Sequence, residues 1–237
     1  MIIIKDNIPE SIGIIMDGNG RWAKKRALPT IMGHREGANT LKKIVEYANE
    51  IGVEYLIVYA FSTENWKRSK EEVNGLMSLL TEYLDSFEKN FYKQNIRIKV
   101  IGRRSLLLKD LQEKINNVEQ KTSNNRGLTF VIALDYGGRQ EMVTAMQRIA
   151  KRIENGELSI DEITEDIISN NLYTRDIKDP DIIIRTSGEQ RLSNFLMWQG
   201  VYSELYFTDV LWPDFRKQDL DIAIRAYSNR NRRFGGR

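Results

Sequence analysis

The sequence predicts an α/β fold, in which a single domain is built on an open, mostly parallel six-stranded sheet flanked by helices. Two observations predict it. Apolar runs alternate along the chain with longer amphipathic stretches, as expected for repeated strand–helix units. Several runs, such as "YLIVYAF", "TFVIAL" and "DIIIR", carry apolar residues on both faces of an extended chain. Burial on both faces is typical of parallel strands covered by helices on each side.

Each element follows from its own local pattern. Strands are predicted at the apolar runs, at residues 12–16, 55–61, 96–101, 128–134, 181–184 and 205–207. Helices are predicted at the amphipathic stretches between them, at residues 37–51, 70–93, 106–121, 140–154, 160–170 and 217–229. No linker, repeat or low-complexity segment interrupts this order, so one domain over residues 1–237 is expected.

The helix predicted at residues 70–93 carries a broad apolar stripe. Long side chains recur there at three- and four-residue spacing, at Val73, Leu76, Met77, Leu80, Leu84, Phe87 and Phe91. Such a stripe usually faces a core, and one made of long side chains can also line an apolar cavity. Both interpretations stay open at this point.

Composition and charge exclude several function classes. The 237 residues are 41% hydrophobic and 29% charged, which suits a globular protein with a sizeable core. The net charge of +3 is too small to indicate nucleic-acid binding, and the chain lacks the interleaved aromatic motifs that would support such a role for the basic tail "NRNRRFGGR". The chain has no cysteine, which excludes disulfides and thiolate metal sites. His34 is the only histidine, so a site with two histidine ligands from one chain is also excluded.

No segment has the pattern of a secretory signal or a transmembrane helix. The apolar start at residues 2–4 is too short, and Lys5 and Asp6 follow it at once. The sequence therefore predicts a cytoplasmic protein whose contact with a membrane would be peripheral.

The segment "DGNGRW" follows the first predicted strand and suits an anion-binding turn. Ligands of open α/β sheets bind beyond the carboxyl ends of the strands. Gly18 and Gly20 allow close approach of the backbone, and a helix that begins near Arg21 would direct its free amides at an anion. Asp17 would repel that anion unless a cation such as Mg²⁺ lay between them. A plain tight turn with a solvated arginine explains the same residues.

Two further strand ends carry polar side chains. The segment "STENWKR" offers hydrogen-bonding groups, a flat apolar face and a charge, at Ser62, Thr63, Asn65, Trp66 and Arg68. Its Ser-Thr-Glu start also suits a helix cap. In "RTSGEQRLS", Arg185, Arg191 and Ser193 could clamp a second anion, with surface ion pairs as the alternative. Two anion sites at one sheet edge would indicate two phosphorylated substrates.

Together these segments resemble the motifs of the cis-prenyltransferase family. The similar stretches are "DGNGRWAKKR", "GHREG", "YAFSTENWKR", "DYGGR", "DPDIIIRTSGEQRLSNFLMWQ" and "YSELYFTDVLWPDF", which occur in the family's order between about residue 8 and residue 236. The chain has no Asp-Asp-x-x-Asp run, which distinguishes it from the all-helical trans-prenyl synthases.

The resemblance implies an enzyme that adds isopentenyl diphosphate repeatedly to an allylic diphosphate, with farnesyl diphosphate expected, and forms cis double bonds. The expected product is undecaprenyl diphosphate, used as a lipid carrier in cell-wall synthesis. A synthase of the same fold with a shorter or irregular product is the alternative, followed by a non-catalytic phosphate-binding or partner subunit. The resemblance also implies a homodimer and peripheral membrane contact for product delivery, with no nucleic-acid partner.

The family's functional residues are carried over by motif. The allylic diphosphate would be held by Gly18, Asn19, Gly20 and Arg21, in a region completed by Trp22, His34, Ser62, Thr63, Glu64, Trp66 and Arg68. Isopentenyl diphosphate would be held by Arg185, Arg191, Leu192 and Ser193. Asp17 and Glu204 would bind Mg²⁺. The segment Arg233-Phe234-Gly235 would reach the neighbouring subunit's site.

Asp17 and Asn65 are the expected catalytic residues. The family pattern makes Asn65 the proton acceptor, but a neutral amide is a very weak base. A phosphate oxygen of the substrate or a bound water would accept the proton more easily, with Asn65 orienting that acceptor. The apolar helix over residues 73–91 would form the wall of a dry tunnel for the growing chain.

One position departs from the family pattern. The family usually has arginine directly after the proline between "RWAKK" and "GH", whereas here Thr30 follows Pro29. This change removes one expected phosphate contact, for which Lys24, Lys25 or Arg26 could compensate. Weaker allylic binding or a different allylic substrate is therefore open.

Overall fold

Six strands form one parallel sheet in the computed structural model, which describes residues 8–230 apart from the side chains of residues 86–90. The strands are β1 (Ser11–Ile15), β2 (Tyr55–Ser62), β3 (Arg97–Ile101), β4 (Thr129–Tyr136), β5 (Ile182–Arg185) and β6 (Glu204–Phe207). Their spatial order is β3-β4-β2-β1-β5-β6, and every neighbouring pair is parallel. The predicted fold class is confirmed, and the sheet is parallel throughout.

Seven α-helices accompany these strands within residues 8–230, six of them before β5 and one after β6. They are α1 (Asn19–Lys25), α2 (Thr30–Ile51), α3 (Lys70–Lys93), α4 (Lys109–Thr122), α5 (Gly138–Glu154), α6 (Glu165–Ser169) and α7 (Lys217–Ser228). Short 3-10 helices occur at Thr63–Lys67, Ile160–Glu162 and Trp212–Asp214. Within residues 8–230, none of the helices combines the length and the apolar composition that crossing a bilayer requires.

The start of α2 differs from the prediction. The helix begins at Thr30 rather than near residue 37, after Pro29 at its cap. Gly33 and Gly37 lie inside it, where glycine normally weakens a helix. A Cβ on Gly33 would lie 2.1 Å from the backbone oxygen of Asn19, and a Cβ on Gly37 would lie 2.3 Å from the Asn19 side-chain oxygen. The glycines therefore permit close packing of α1 on α2, which the sequence pattern did not indicate.

The predicted helix at residues 160–170 is also wrong in detail. It is divided into the 3-10 turn and α6, because Ile163 between them is extended. The Thr164 side chain accepts a hydrogen bond from the Ile167 N–H and so begins a new helix.

Four residues of the α3 stripe face the core, as one of the two interpretations predicted. Val73, Met77, Leu84 and Phe91 are buried in the larger core cluster. The Phe91 ring meets Phe130 of β4 edge-to-face, with ring centroids 5.9 Å apart. Such a pair contributes roughly 1 kcal/mol beyond area burial. Phe87 lies among the residues whose side chains are not described.

The carboxyl ends of β1 and β5 form the topological switch point of the sheet. From β1 the chain proceeds to β2 on one side, whereas from β5 it proceeds to β6 on the other. The crevice between two such strand ends is where open α/β sheets bind ligands. Asp17 follows β1 and Arg185 ends β5, so both lie at this crevice.

Candidate active site

A cavity of about 800 Å³ opens at the switch point. Twelve of the predicted site residues line it, namely Asp17, Gly18, Asn19, Gly20, Arg21, His34, Ser62, Glu64, Asn65, Arg68, Arg185 and Ser193. Six others are not among its lining residues, namely Trp22, Thr63, Trp66, Arg191, Leu192 and Glu204. The predicted residues Arg233 and Gly235 lie outside the described part of the chain.

Asp17 is held between two guanidinium groups. Its carboxylate lies 3.1 Å from Arg21 Nη2 and 3.0 Å from Arg185 Nη2. Partial burial acts to raise the pKa of Asp17, but the hydrogen bonds and charges of Arg185 and Arg21 outweigh it and lower that pKa. Asp17 is therefore a carboxylate at neutral pH, beside two cations that face the cavity.

The turn before α1 requires glycine at its first position. Gly18 has φ 108°, in the left-handed region, and a Cβ there would lie 2.9 Å from a Leu211 side-chain carbon. The segment thus forms a tight turn, but its arginine is ion-paired with Asp17 and Glu189 rather than solvated. Arg21, one turn later, donates hydrogen bonds to the Ser187 backbone oxygen at 3.0 Å and to Glu189 at 3.1 Å. This places its guanidinium group between the ends of β1 and β5.

Arg185 is the buried centre of the second predicted anion clamp. Its Nη1 donates to the Ser193 hydroxyl at 2.7 Å and to the Arg191 backbone oxygen. The Arg191 guanidinium instead pairs with Glu189, and its side chain is 60% exposed. The structure therefore brings Arg185 and Ser193 together at the cavity, while Arg191 contacts Arg185 only through its backbone oxygen.

The segment after β2 presents Asn65 in a fixed orientation. Asn65 Oδ1 accepts the Ser62 backbone N–H at 3.0 Å, within a capping box that starts the following 3-10 helix. This bond commits the amide oxygen and leaves the amide NH₂ as the free hydrogen-bonding group. The predicted helix-capping role of the segment is confirmed, and Asn65 also lines the cavity.

His34 and Arg68 share one carboxylate at the cavity wall. Arg68 Nη1 lies 2.8 Å from Glu72 Oε1, and His34 Nε2 lies 3.8 Å from the same oxygen. Burial, and then the charge of Arg68, lower the pKa of His34 and outweigh the effect of Glu72. The imidazole is therefore neutral at neutral pH.

Both predicted tryptophans have structural partners. The Trp66 indole N–H donates to the buried Asp135 at 2.8 Å, and Arg103 contacts the same carboxylate at 2.9 Å. The Trp22 indole N–H donates to Asp214 at 2.8 Å. Each ring is thus anchored away from the cavity lining, which the sequence motifs alone did not indicate.

Glu204 is distant from Asp17 within one chain. It begins β6, level with Ile182 of β5, which pairs in turn with Ile12 of β1. Asp17 follows the carboxyl end of β1, so Glu204 lies at the amino ends of the strands and Asp17 at their carboxyl ends. Glu204 forms an ion pair with Arg230. In residues 8–230, no group of three or more His, Cys, Asp or Glu residues could hold a metal ion.

Eight further residues line the cavity beside those twelve. Among them are Tyr59, Asn194 and Thr30, the residue noted only as a departure from the family pattern. The sequence pattern predicts Tyr59 to be an ordinary strand residue. In the structure, the pairing of β2 with β4 shifts register between Tyr59 and Phe61. Such an irregularity redirects side chains along a strand. Asn194 has φ 66°, a conformation that asparagine tolerates better than most residues. Its residue type was therefore the only signal in the sequence for a special role.

A smaller apolar cavity adjoins the polar one. It measures about 110 Å³ and shares Met16, Asn19, His34, Ala60 and Leu76 with the larger cavity. Its other walls include Leu41 of α2, and Leu79, Leu80 and Tyr83 of α3. A charged region that leads into an apolar one suits a ligand with an anionic head and a hydrocarbon tail.

A parallel α/β sheet with a carboxylate and two arginines at its switch-point cavity suits a protein that binds an anionic ligand there. The chain belongs to the prenyltransferase family described as "Putative undecaprenyl diphosphate synthase", whose model matches residues 15–235. The enzyme is therefore a prenyltransferase of the cis-prenyltransferase type, as the motifs predicted.

Individual relatives agree with this membership. The chain is 52% identical to an isoprenyl transferase of Clostridium tetani, with 98% of the chain and 91% of the relative covered. It is 50% identical to the ditrans,polycis-undecaprenyl-diphosphate synthase ((2E,6E)-farnesyl-diphosphate specific) of Micrococcus luteus, covering 97% and 92% respectively. The solved structure of lavandulyl diphosphate synthase from Lavandula x intermedia with dimethylallyl diphosphate superposes with a TM-score of 0.90. It is 38% identical, and 96% and 98% of the two chains are covered.

Proposed function

We propose that the enzyme condenses isopentenyl diphosphate repeatedly with farnesyl diphosphate and releases undecaprenyl diphosphate. The observation that carries this proposal is the position of Asp17, Arg21 and Arg185 in the lining of a cavity that adjoins an apolar one. The farnesyl specificity named for the Micrococcus luteus relative supports the choice of allylic substrate.

Each condensation forms a carbon–carbon bond between the allylic C1 and C4 of isopentenyl diphosphate. The C1–oxygen bond to the leaving diphosphate breaks, and a proton leaves C2 of isopentenyl diphosphate. Arg21 and Arg185 would neutralise charge on the bound diphosphates, which makes departure of the leaving group easier. Because Asn65 Oδ1 already accepts a backbone N–H, its amide NH₂ is suited to orient a phosphate oxygen or water that takes the proton.

Mg²⁺ is the proposed cofactor, with Asp17 as its protein ligand. Mg²⁺ is commonly bound by one or two carboxylates together with substrate phosphates and waters. Asp17 fits this requirement, because it is ionised and lines the cavity where the phosphates would lie. When bound, Mg²⁺ would supply further neutralisation of the leaving diphosphate. Loss of turnover in a chelator, restored by added Mg²⁺, is the expected result.

The homodimer stays a proposal supported by exposed apolar side chains. Val143 and Met146 of α5, and Val201 and Tyr202 before β6, are all more than half exposed. Glu204 lies at the edge of the sheet opposite Asp17, so its proposed role as a metal ligand would require a second copy of the chain. Sedimentation of the purified protein tests the dimer, and a monomer at micromolar concentration would contradict it.

The predicted cytoplasmic location, with peripheral contact to a membrane for product delivery, also stays a proposal. It is supported by the hydrocarbon product that the proposed reaction would release, which would partition into lipid. Cell fractionation checks it, because the enzyme should be recovered without detergent and partly with membranes in low salt.

A shorter or irregular product is the second candidate function. It is favoured by the similarity to lavandulyl diphosphate synthase and by Thr30 in the cavity wall, where the family pattern expects arginine nearby. Chromatography of products from labelled isopentenyl diphosphate decides between the two. We expect long cis-polyprenyl products with farnesyl diphosphate as primer. A short product from dimethylallyl diphosphate alone would establish the second candidate, and no diphosphate release with either primer would contradict both.

A further inference from the structure

Asn194 connects three separate strand-end segments at the rim of the cavity. Its backbone oxygen accepts the Gly138 N–H at 2.7 Å, and its side-chain oxygen accepts the Arg139 N–H at 2.8 Å. Its side-chain nitrogen donates to Glu64 Oε1 at 3.0 Å. One residue from the loop after β5 thus contacts both the segment after β4 and the segment after β2.

The local backbone is built for this connection. Asn194 has φ 66° and Ser193 has φ 49°, so both occupy the left-handed region, which asparagine tolerates better than most residues. A Cβ on Gly137 would lie 2.7 Å from Asn194 Nδ2, so a larger residue there would push the asparagine away. A left-handed turn and a glycine together place the Asn194 amide at this position.

Asn194 lies between groups of the two proposed half-sites. The preceding residue, Ser193, accepts a hydrogen bond from Arg185 in the isopentenyl diphosphate clamp. Glu64, to which Asn194 donates, lines the allylic side of the same cavity. The position of the clamp relative to the allylic side therefore depends on this asparagine.

We propose that Asn194 is a positioning residue that fixes the isopentenyl diphosphate clamp against the allylic side and holds the Glu64 carboxylate away from the diphosphates. The inference rests on the proposed function, because the two half-sites are assigned there. Glu64 lies in the cavity wall, where the amide donor of Asn194 occupies one of its oxygens; without that donor the carboxylate is free to turn toward the bound diphosphates. A free negative charge beside two diphosphates would weaken their binding.

Asn194→Asp tests this arrangement with little change in shape. Aspartate keeps the acceptor for the Arg139 N–H, loses the donor to Glu64, and places two carboxylates together. We expect the KM for isopentenyl diphosphate to rise at least about tenfold, with a smaller fall in kcat. An unchanged KM would overturn the proposal, and a thermal midpoint close to wild type shows that the fold is retained.

The double variant Glu64→Gln/Asn194→Asp provides the sharper test. Glutamine at 64 can donate to aspartate at 194, which restores the hydrogen bond with donor and acceptor exchanged. We expect its KM for isopentenyl diphosphate to be at least about threefold lower than that of Asn194→Asp alone, although it carries one more substitution. No recovery would overturn the coupling between the two residues.

Asn155→Asp is the matched control. Asn155 also donates to a glutamate, Glu157, at 3.0 Å, and this pair is exposed like the Asn194–Glu64 pair but lies away from the cavity. We expect its KM to equal that of wild type, which excludes a general effect of breaking an Asn–Glu hydrogen bond.

Calorimetric titration with inorganic diphosphate separates this inference from the proposed function. The affinity should weaken at least about fivefold in Asn194→Asp and recover in the double variant, whichever prenyl substrate the wild type uses. Equal affinities in all variants would overturn the positioning role. If the variants change the diphosphate affinity as expected but the wild type shows no turnover, the proposed substrates are overturned and the positioning role is not.

Discussion

Asp17 and Arg185 form an ion pair 3.0 Å long that joins the loop after β1 to the end of β5. Arg185 is 4% exposed, and its other contacts are the Ser193 hydroxyl and the Arg191 backbone oxygen. A buried guanidinium without a carboxylate is costly, so Asp17 supports the structure of the crevice as well as its proposed chemistry. The two roles can be separated experimentally.

Asp17→Ala should lower turnover at least about 100-fold while leaving the protein folded but less stable, because Arg185 loses its buried carboxylate partner. The carboxylate is the proposed cation ligand, and losing one preorganised charge at a reacting centre costs roughly 10²–10³-fold in kcat. Circular dichroism and steady-state kinetics in Mg²⁺ buffer provide the measurements. Asp176→Ala, which removes the partner of Lys99 outside the cavity, is the control and should be fully active. Near-normal turnover of Asp17→Ala would refute its assignment as metal ligand.

Thr30→Arg should lower the KM for farnesyl diphosphate. Thr30 lies in the first turn of α2 and lines the cavity, so a guanidinium group there would reach the bound phosphates. We expect a decrease of about three- to tenfold, as for one added charge-assisted contact. Met32→Arg adds the same charge on an exposed position of the same helix and should have no such effect. An unchanged or higher KM in Thr30→Arg would argue against a missing phosphate contact.

Deletion of residues 233–237 should cripple catalysis without unfolding the protein. The family resemblance assigns Arg233 and Gly235 to the neighbouring subunit's site, whereas the sheet and its helices lie within residues 8–230. We expect kcat/KM for isopentenyl diphosphate to fall by about 100-fold or more, with an unchanged thermal midpoint. Full activity of the truncated enzyme would refute a role for the tail.

Glu141 should make the stability of the protein depend on pH. It is 1% exposed and accepts hydrogen bonds from the Tyr136 hydroxyl at 2.6 Å and the Gln199 amide at 3.0 Å. Burial is the main cause of its raised pKa and outweighs the hydrogen bonds, which lower it. The folded state therefore binds this proton more tightly than the unfolded state does, and stability falls as pH rises from the unfolded value through the folded one.

The measurement is denaturant unfolding of wild type and Glu141→Gln at several pH values. Glutamine cannot ionise, so the free energy of unfolding of wild type should fall relative to that of the variant as the pH rises above 4.5, the ordinary pKa of a glutamate. A constant difference across this range would show that Glu141 does not titrate differently in the folded state.

Local pattern determined much of the fold. The apolar runs located all six strands, and helix α3 has the predicted bounds. These predictions succeed because both-face burial imposes a composition that can be read over a few residues. The predicted start of α2 was wrong for the opposite reason. Gly33 and Gly37 are needed because Asn19, which belongs to another helix, packs closely against them.

For the candidate site too, some features follow from local sequence and others only from tertiary packing. The sequence by itself determined the carboxylate, the arginines and the glycine turn, because residues that follow parallel strands must gather at one sheet edge. Only the tertiary structure decided which side chains face the cavity. It directed Trp66 to Asp135, separated Glu204 from Asp17 and placed Asn194 against Glu64. These outcomes depend on strand order, register and contacts between distant segments, and the geometry of such contacts is fixed only when the whole chain packs.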